Sequence, residues 1–198
     1  MLGETEVRSQ QLLMPTLYIA DLRTSNRKKQ HWLDFIFKMK NGLNLRIAMY
    51  QPDIPQNTGT ILRLVSCLGI EADIIEPCGF PLSHKKFKRA GMDYLDSVNF
   101  VRHASWAAFQ RANHGQSGRL ILLTTQSDLS YLDYDFAQGD TLLVGSEGAG
   151  VPDFIHDEVS ERLVIPMTSG MRSLNVAIAA AMVAGEALRQ LALHNRAP

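Results

Sequence analysis

From Leu45 onward, short apolar runs of strand length alternate with segments whose apolar residues recur at helical spacing. Strand-length runs stand at Leu45–Tyr50, Ala72–Glu76, Val98–Arg102, Leu120–Thr124, Thr141–Val144 and Leu163–Ile165. Between them, Ile61, Leu62, Val65 and Leu68 mark a helix over Asn57–Leu68, which Gly69 stops. Ser83 can cap a short basic helix, and Ser105 a helix to about Ala112. An Ala-rich helix over Leu174–Leu193 closes the pattern. The Leu120 and Thr141 runs are apolar without alternation apart from a terminal threonine, as strands covered on both faces are. Strands alternating with helices predict an α/β domain, a mostly parallel sheet with flanking helices.

The chain has 198 residues, of which 45% are hydrophobic and 20% charged, enough apolar material for a sizeable core. Residues 1–42 read as a poorly ordered N-terminal extension, and residues 43–198 as the globular domain. Lys plus Arg and Asp plus Glu number 20 each, so net charge is zero and any polyanion contact must be a local patch. Two cysteines, Cys67 and Cys78, form neither a disulfide framework nor a metal-ligand spacing. A reducing cytoplasm fits them. The longest uninterrupted apolar run, Val176 to Gly185, is too short for a membrane span, and the N-terminus does not read as a secretion signal.

Three clusters are candidates for chemistry. In the first, Asn57 stands where a strand-to-helix loop ends and Arg63 nearly two turns on. In a parallel sheet that loop faces the ligand crevice. An N-cap followed by a solvated arginine explains the same residues. The second, Gly145 to Pro152, follows a buried strand. It lacks the spacing of a dinucleotide fingerprint and the ending of a P-loop. Glycine permits a tight turn, and Glu147 within it is placed to accept hydrogen bonds. The third runs from Ile165-Pro166-Met167 to Arg172-Ser173-Leu174-Asn175. Here Ser173 can cap the last helix, leaving Asn175 in its first turn.

In this order, Asn57-x-Gly59-x-x-x-Arg63, the Gly145–Pro152 turn with its glutamate, and Ser173-Leu174-Asn175-Val176 before an Ala-rich helix resemble the SPOUT-superfamily RNA ribose methyltransferases. Tyr50–Asn57, Ala90–Tyr94 and Ile165–Met167 narrow the resemblance to the small bacterial tRNA (cytidine/uridine wobble) 2′-O-methyltransferases, the TrmL type. It covers about Leu45 to Leu191.

The resemblance implies a C-terminal deep trefoil knot whose loops bind S-adenosylmethionine, with Leu123, Gly145, Ile165 and Ser173 as contacts and Met167 and Leu174 beside them. It implies methyl transfer to the 2′-hydroxyl of the wobble nucleotide, in leucine tRNAs, without a metal. Arg63 is the catalytic residue in this scheme, Asn57 positions Arg63 or the ribose, and Glu147 and Asn175 organise the loops and the active site. It also implies a homodimer through the last helix and the start of the Asn57 helix. Lys85, Lys86, Lys88 and Arg89, with Arg46 and Arg172, are the candidate tRNA-backbone contacts. A solvated helix face is the alternative reading of the lysines. Gly185 departs from the pattern, since many relatives carry an aromatic residue before the glutamate that matches Glu186. Two other readings are a ribose methyltransferase for another tRNA position or rRNA, and a non-catalytic RNA-binding protein with the same fold. The intact set Asn57, Arg63, Glu147 and Asn175 argues against the latter.

Overall fold

Strands β1 (Arg46–Tyr50), β2 (Glu71–Ile75), β3 (Phe100–His103), β4 (Leu120–Leu123), β5 (Thr141–Val144) and β6 (Glu161–Leu163) form one sheet in the order β3-β2-β1-β5-β4-β6. Every neighbouring pair in it is parallel. The structure is a computed structural model that describes residues 44–82, 99–113 and 118–194. Four helices accompany the sheet among these residues: α1 (Pro55–Leu68), α2 (Trp106–Asn113), α3 (Asp153–Glu158) and α4 (Val176–His194). The expected α/β class is therefore observed. The extension over residues 1–42, the Ser83 helix and the Ala90–Tyr94 stretch lie outside the described residues.

Alternation along the strands sends side chains to two cores. Ile47 and Met49 join Ile61, Leu62 and Val65 of α1 and Ala180, Val183, Ala184 and Leu188 of α4. Ala48 and Tyr50 point the other way, to Trp106 and Phe109 of α2 and Ile155 of α3. Burying each large side chain contributes about 1.5–3 kcal/mol, so both helix layers clamp the sheet. By length and composition α4 could cross a bilayer. Burial of one face in the first core accounts for part of that apolarity.

Several boundaries differ from expectation. Helix α1 starts at Pro55, with Ile54 as its N-cap, so Asn57 lies inside the first turn and caps nothing. Proline suits this first position, where its missing N–H has no partner to lose. Helix α4 starts at Val176, and its cap is Asn175, not Ser173: Asn175 Oδ1 accepts from the N–H groups of Ala177 (2.9 Å) and Ile178 (3.3 Å). Ser105 does cap α2, accepting from Ala108 N–H at 3.2 Å. Strand β6 sits two residues earlier than its apolar run suggests, and α3 is an addition.

The strand order places β1 between β2 and β5. A parallel sheet whose chain departs in both directions from one strand opens a crevice at the carboxyl ends beside it. The loops after Tyr50 and after Val144 leave the sheet at this crevice.

Candidate active site

Two loops meet at the crevice through reciprocal hydrogen bonds. Glu147 Oε2 accepts from the backbone N–H groups of Asp53 (3.0 Å) and Ile54 (3.3 Å). In return, Asp53 Oδ1 and Oδ2 accept from the N–H groups of Glu147 (3.0 Å) and Gly148 (3.2 Å). Hydrogen bonding with the Glu147 side chain and with these N–H groups keeps the Asp53 carboxyl below its ordinary pKa range. A third segment joins through Asn57. Its Nδ2 donates to Glu147 Oε1 (2.9 Å), and its Oδ1 accepts from Asn175 Nδ2 (2.9 Å). The residues after β1, after β5 and before α4 are thus one hydrogen-bonded unit.

The backbone beneath this unit is shaped for it. Ser146 and Gly150 exchange two backbone hydrogen bonds, 3.0 and 2.9 Å, closing the glycine-rich turn. A Cβ on Gly145 would lie 2.4 Å from the Gly150 carbonyl carbon, so this turn requires glycine there. Gln51, at φ 44°, takes the left-handed conformation without being glycine. Such strain concentrates at functional loops.

Above the sheet edge lies a cavity of about 570 Å³, well within the range of small-molecule sites. It gathers the expected residues Asn57, Leu123, Gly145 and Glu147, then Ile165 and Met167, then Arg172, Ser173, Leu174 and Asn175. The ends of β4, β5 and β6 all reach it, through Leu122, Val144 and Leu163. Apolar strand ends on one side and an amide–carboxylate cluster on another suit an amphiphilic ligand with a flat apolar part, as a nucleoside-based sulfonium is. The Nδ1 of His156, which also lines the cavity, is buried and has no hydrogen-bond partner among the described residues.

Two expected residues stand elsewhere. Arg63 does not line the cavity; it is exposed on α1, in a stripe with Gln56, Thr60 and Cys67. Arg46 is not a surface cation for a polyanion. Its side chain is 12% exposed and bound to Asp73 and Glu71, with the Asp73 contacts at 2.8–3.0 Å. Asp73 also meets His103 Nε2 at 2.7 Å, so Arg46 belongs to a buried polar network. Desolvation makes such a charge costly to unpair. Lys85, Lys86, Lys88 and Arg89 lie outside the described residues.

Sequence reasoning missed Asp53, Thr124, Thr125, Gln126 and His156. Thr124, Thr125 and Gln126 follow β4 directly, and position at a carboxyl strand end was the available clue. Asp53 stood within the Tyr50–Asn57 stretch, but nothing local marked its role, because its partners are 94 and 95 residues away.

Comparison with known proteins accounts for this arrangement. The model of the SpoU rRNA Methylase family matches residues 44–185. A tRNA (cytidine(34)-2′-O)-methyltransferase of Beijerinckia indica is 57% identical over 145 residues, spanning 73% of this chain and 91% of that protein. The enzyme of that name from Escherichia coli K12 is 39% identical over 149 residues, 74% of this chain and 94% of its own length. A structure described as giving structural insights into the 2-OH methylation of C/U34 on tRNA superposes with a TM-score of 0.71 and 39% identity, covering 78% of this chain and 99% of that one. The methyltransferase AviRb from Streptomyces viridochromogenes, solved with the cofactor AdoMet, gives 0.66 and 28% over 74% of this chain and 57% of its own. The match over most of the domain, together with the loops gathered at one crevice, shows that the chain belongs to the SpoU rRNA Methylase family.

Proposed function

We propose that this chain transfers the methyl group of S-adenosylmethionine to the ribose 2′-hydroxyl of the wobble nucleotide of tRNA, with leucine tRNAs as substrates. The observation that carries this reading is the joining of Asn57, Glu147 and Asn175 at a cavity of cofactor size, in a chain 57% identical to a tRNA (cytidine(34)-2′-O)-methyltransferase.

The sulfonium supplies an activated methyl group, so the protein's task is alignment and charge stabilisation. Leu123, Ile165 and Leu174 offer apolar contact to the adenine, and Gly145 and Ser173 a close backbone approach, with Met167 beside them. Knotting of the loops after Leu123, after Val144 and between Ile165 and Ser173 belongs to the same reading. Asn57, Glu147 and Asn175 hold these loops in register. Arg63 stabilises the negative charge that grows on the 2′-oxygen, while a phosphate accepts the proton. A guanidinium suits the first role, because it stays charged at any working pH.

Arg63 lies outside its own chain's cavity, which supports a homodimer with an active site completed across the interface. Beside α1, α4 exposes Ile178 (53%), Met182 (40%) and Leu193 (49%), an apolar stripe suited to a partner. Arg172 at the cavity and the Lys85, Lys86, Lys88 and Arg89 cluster serve as tRNA-backbone contacts. Residues 1–42 are read as an extension outside the catalytic domain, a reading supported by the family match, which begins at residue 44. The enzyme works in the cytoplasm, where its substrate is.

Incubation with labelled S-adenosylmethionine and tRNA lacking wobble-ribose methylation tests this. Label on the ribose 2′-oxygen of the wobble nucleotide supports the reading, and label at another ribose contradicts its substrate. Label on a base, or none despite measured cofactor binding, overturns it.

A further inference from the structure

A loop that takes no part in the cavity is built into its frame. After β2, Cys78, Phe80 and Leu82 pack against the first core. Between the first two, Gly79 donates its N–H to the Pro52 carbonyl at 3.0 Å, and Gln51 N–H donates to the Ile75 carbonyl at 2.9 Å. The loop after β1 is therefore tied on one side to the end of β2 and the segment beyond it. On its other side the Asp53 carboxylate accepts from the N–H groups of Glu147 and Gly148. Asp53 is exposed, and neither it nor Gly79 lines the cavity, whereas Asn57 and Glu147 do.

The packing leaves the Asp53 backbone no slack. A Cβ on Gly79 would lie 2.8 Å from Asp53 Cβ and 2.9 Å from its Cα. Gly79 is not in the left-handed region, so this obstacle is steric alone. Its neighbours Cys78 and Phe80 are held by the core, so Asp53 is the side that would have to move. The glycine-rich turn keeps its own shape without Asp53, because Ser146 and Gly150 close it through two backbone hydrogen bonds. What Asp53 fixes is where that turn stands relative to the start of α1, which carries Asn57 and, further on, Arg63. Backbone N–H groups bound by a carboxylate suit this task, since such hydrogen bonds are stronger than neutral ones.

We propose that Asp53, set in place by Gly79, is a positioning residue for methyl transfer, holding the glycine-rich turn and α1 in register without touching a ligand. This rests on the reading of the cavity as the cofactor site. The shape of the turn governs cofactor affinity. Its placement governs the alignment of methyl group and hydroxyl, where a displacement of about 1 Å can cost about a hundredfold in rate.

The test uses the full chain and three variants. Asp53→Asn turns an NH2 group toward one of the two N–H donors, Asp53→Glu keeps both acceptor oxygens, and Gly79→Ala keeps the carboxylate but displaces it. Titration calorimetry measures S-adenosylhomocysteine affinity, and single-turnover transfer to tRNA measures the chemical step. The expected result is that Asp53→Asn and Gly79→Ala each slow transfer by about tenfold or more, while affinity stays within about threefold. Asp53→Glu should transfer faster than Asp53→Asn. Should Gly79→Ala fail to fold, the two Asp53 variants decide. Undiminished transfer in Asp53→Asn overturns the proposal. So does a loss of affinity that matches the loss of rate, which would make Asp53 merely structural. An Asp53→Glu variant no better than Asp53→Asn also overturns it. Failure of wild type both to bind S-adenosylhomocysteine and to transfer methyl would instead sink the cofactor reading itself.

Discussion

Asn57 donates through Nδ2 to Glu147, and this fixes the direction of a relay that ends on α4. With Nδ2 committed, Oδ1 accepts from Asn175, whose own Oδ1 is thereby turned to the α4 N–H groups. Three loops from distant parts of the chain share one polarity. Asn57→Ala removes the central amide and should cost about 1 kcal/mol of stability. Asn57→Asp should be worse, although it is nearly isosteric, because it sets a carboxylate against Glu147. Urea unfolding and S-adenosylhomocysteine affinity measure both. An Asp variant as good as wild type would refute the relay.

Arg63 is separated from the cofactor cavity, so binding and turnover should divide there. Arg63→Ala is expected to keep S-adenosylhomocysteine affinity within about twofold, while its turnover falls by about a hundredfold or more, as for lost electrostatic stabilisers. Paired calorimetry and single-turnover methyl transfer separate the two. A parallel loss of affinity would place Arg63 in the cofactor site.

The exposed Ile178 and Met182 make the proposed homodimer testable. Ile178→Asp with Met182→Arg should yield a folded monomer by light scattering, with methyl transfer reduced by more than about tenfold. A dimer of wild-type mass would show that the interface lies elsewhere.

Glu186 supplies a pH dependence. Hydrogen bonds from Arg189 and from Gln190 hold its carboxyl down to about 2, and Gln190 also ties down Phe136 N–H and Tyr134 C=O. The folded pKa lies below the unfolded one. The contribution is therefore complete above the ordinary value of 4.5 and is lost as pH falls toward about 2. Glu186→Gln should be less stable than wild type at pH 7, with the gap closing between pH 4.5 and 2. Denaturant melts across that range check it, and a gap independent of pH would contradict the assignment.

A chain beginning at Leu43 should keep the melting temperature and methyl transfer of the full chain. Loss of both would make residues 1–42 part of the catalytic fold.

The strands and long helices were legible because their side chains face a core at fixed period. Leu142 and Leu143 go to opposite cores, and both are fully buried, so the run after Thr141 is apolar without alternation. Strand β6 was misplaced because Glu161 and Arg162 are exposed at the sheet edge, and only Leu163 is buried. Helix α3 was invisible because six residues with one buried side chain make no period. The cap of α4 went to Asn175 over Ser173, two residue types with nearly equal capping preference. What separates them is the contact with Asn57, 118 residues away, which no local pattern contains. Likewise, Arg46 reads as a surface cation until β2 brings Asp73 beside it.

The most direct test is nucleotide-resolved mass spectrometry of tRNA methylated by wild type and by Arg63→Ala. Wild type is expected to produce a 2′-O-methylated wobble nucleotide in leucine tRNAs that the variant does not. Methylation at any other position, or an undiminished wobble product from Arg63→Ala, would contradict it.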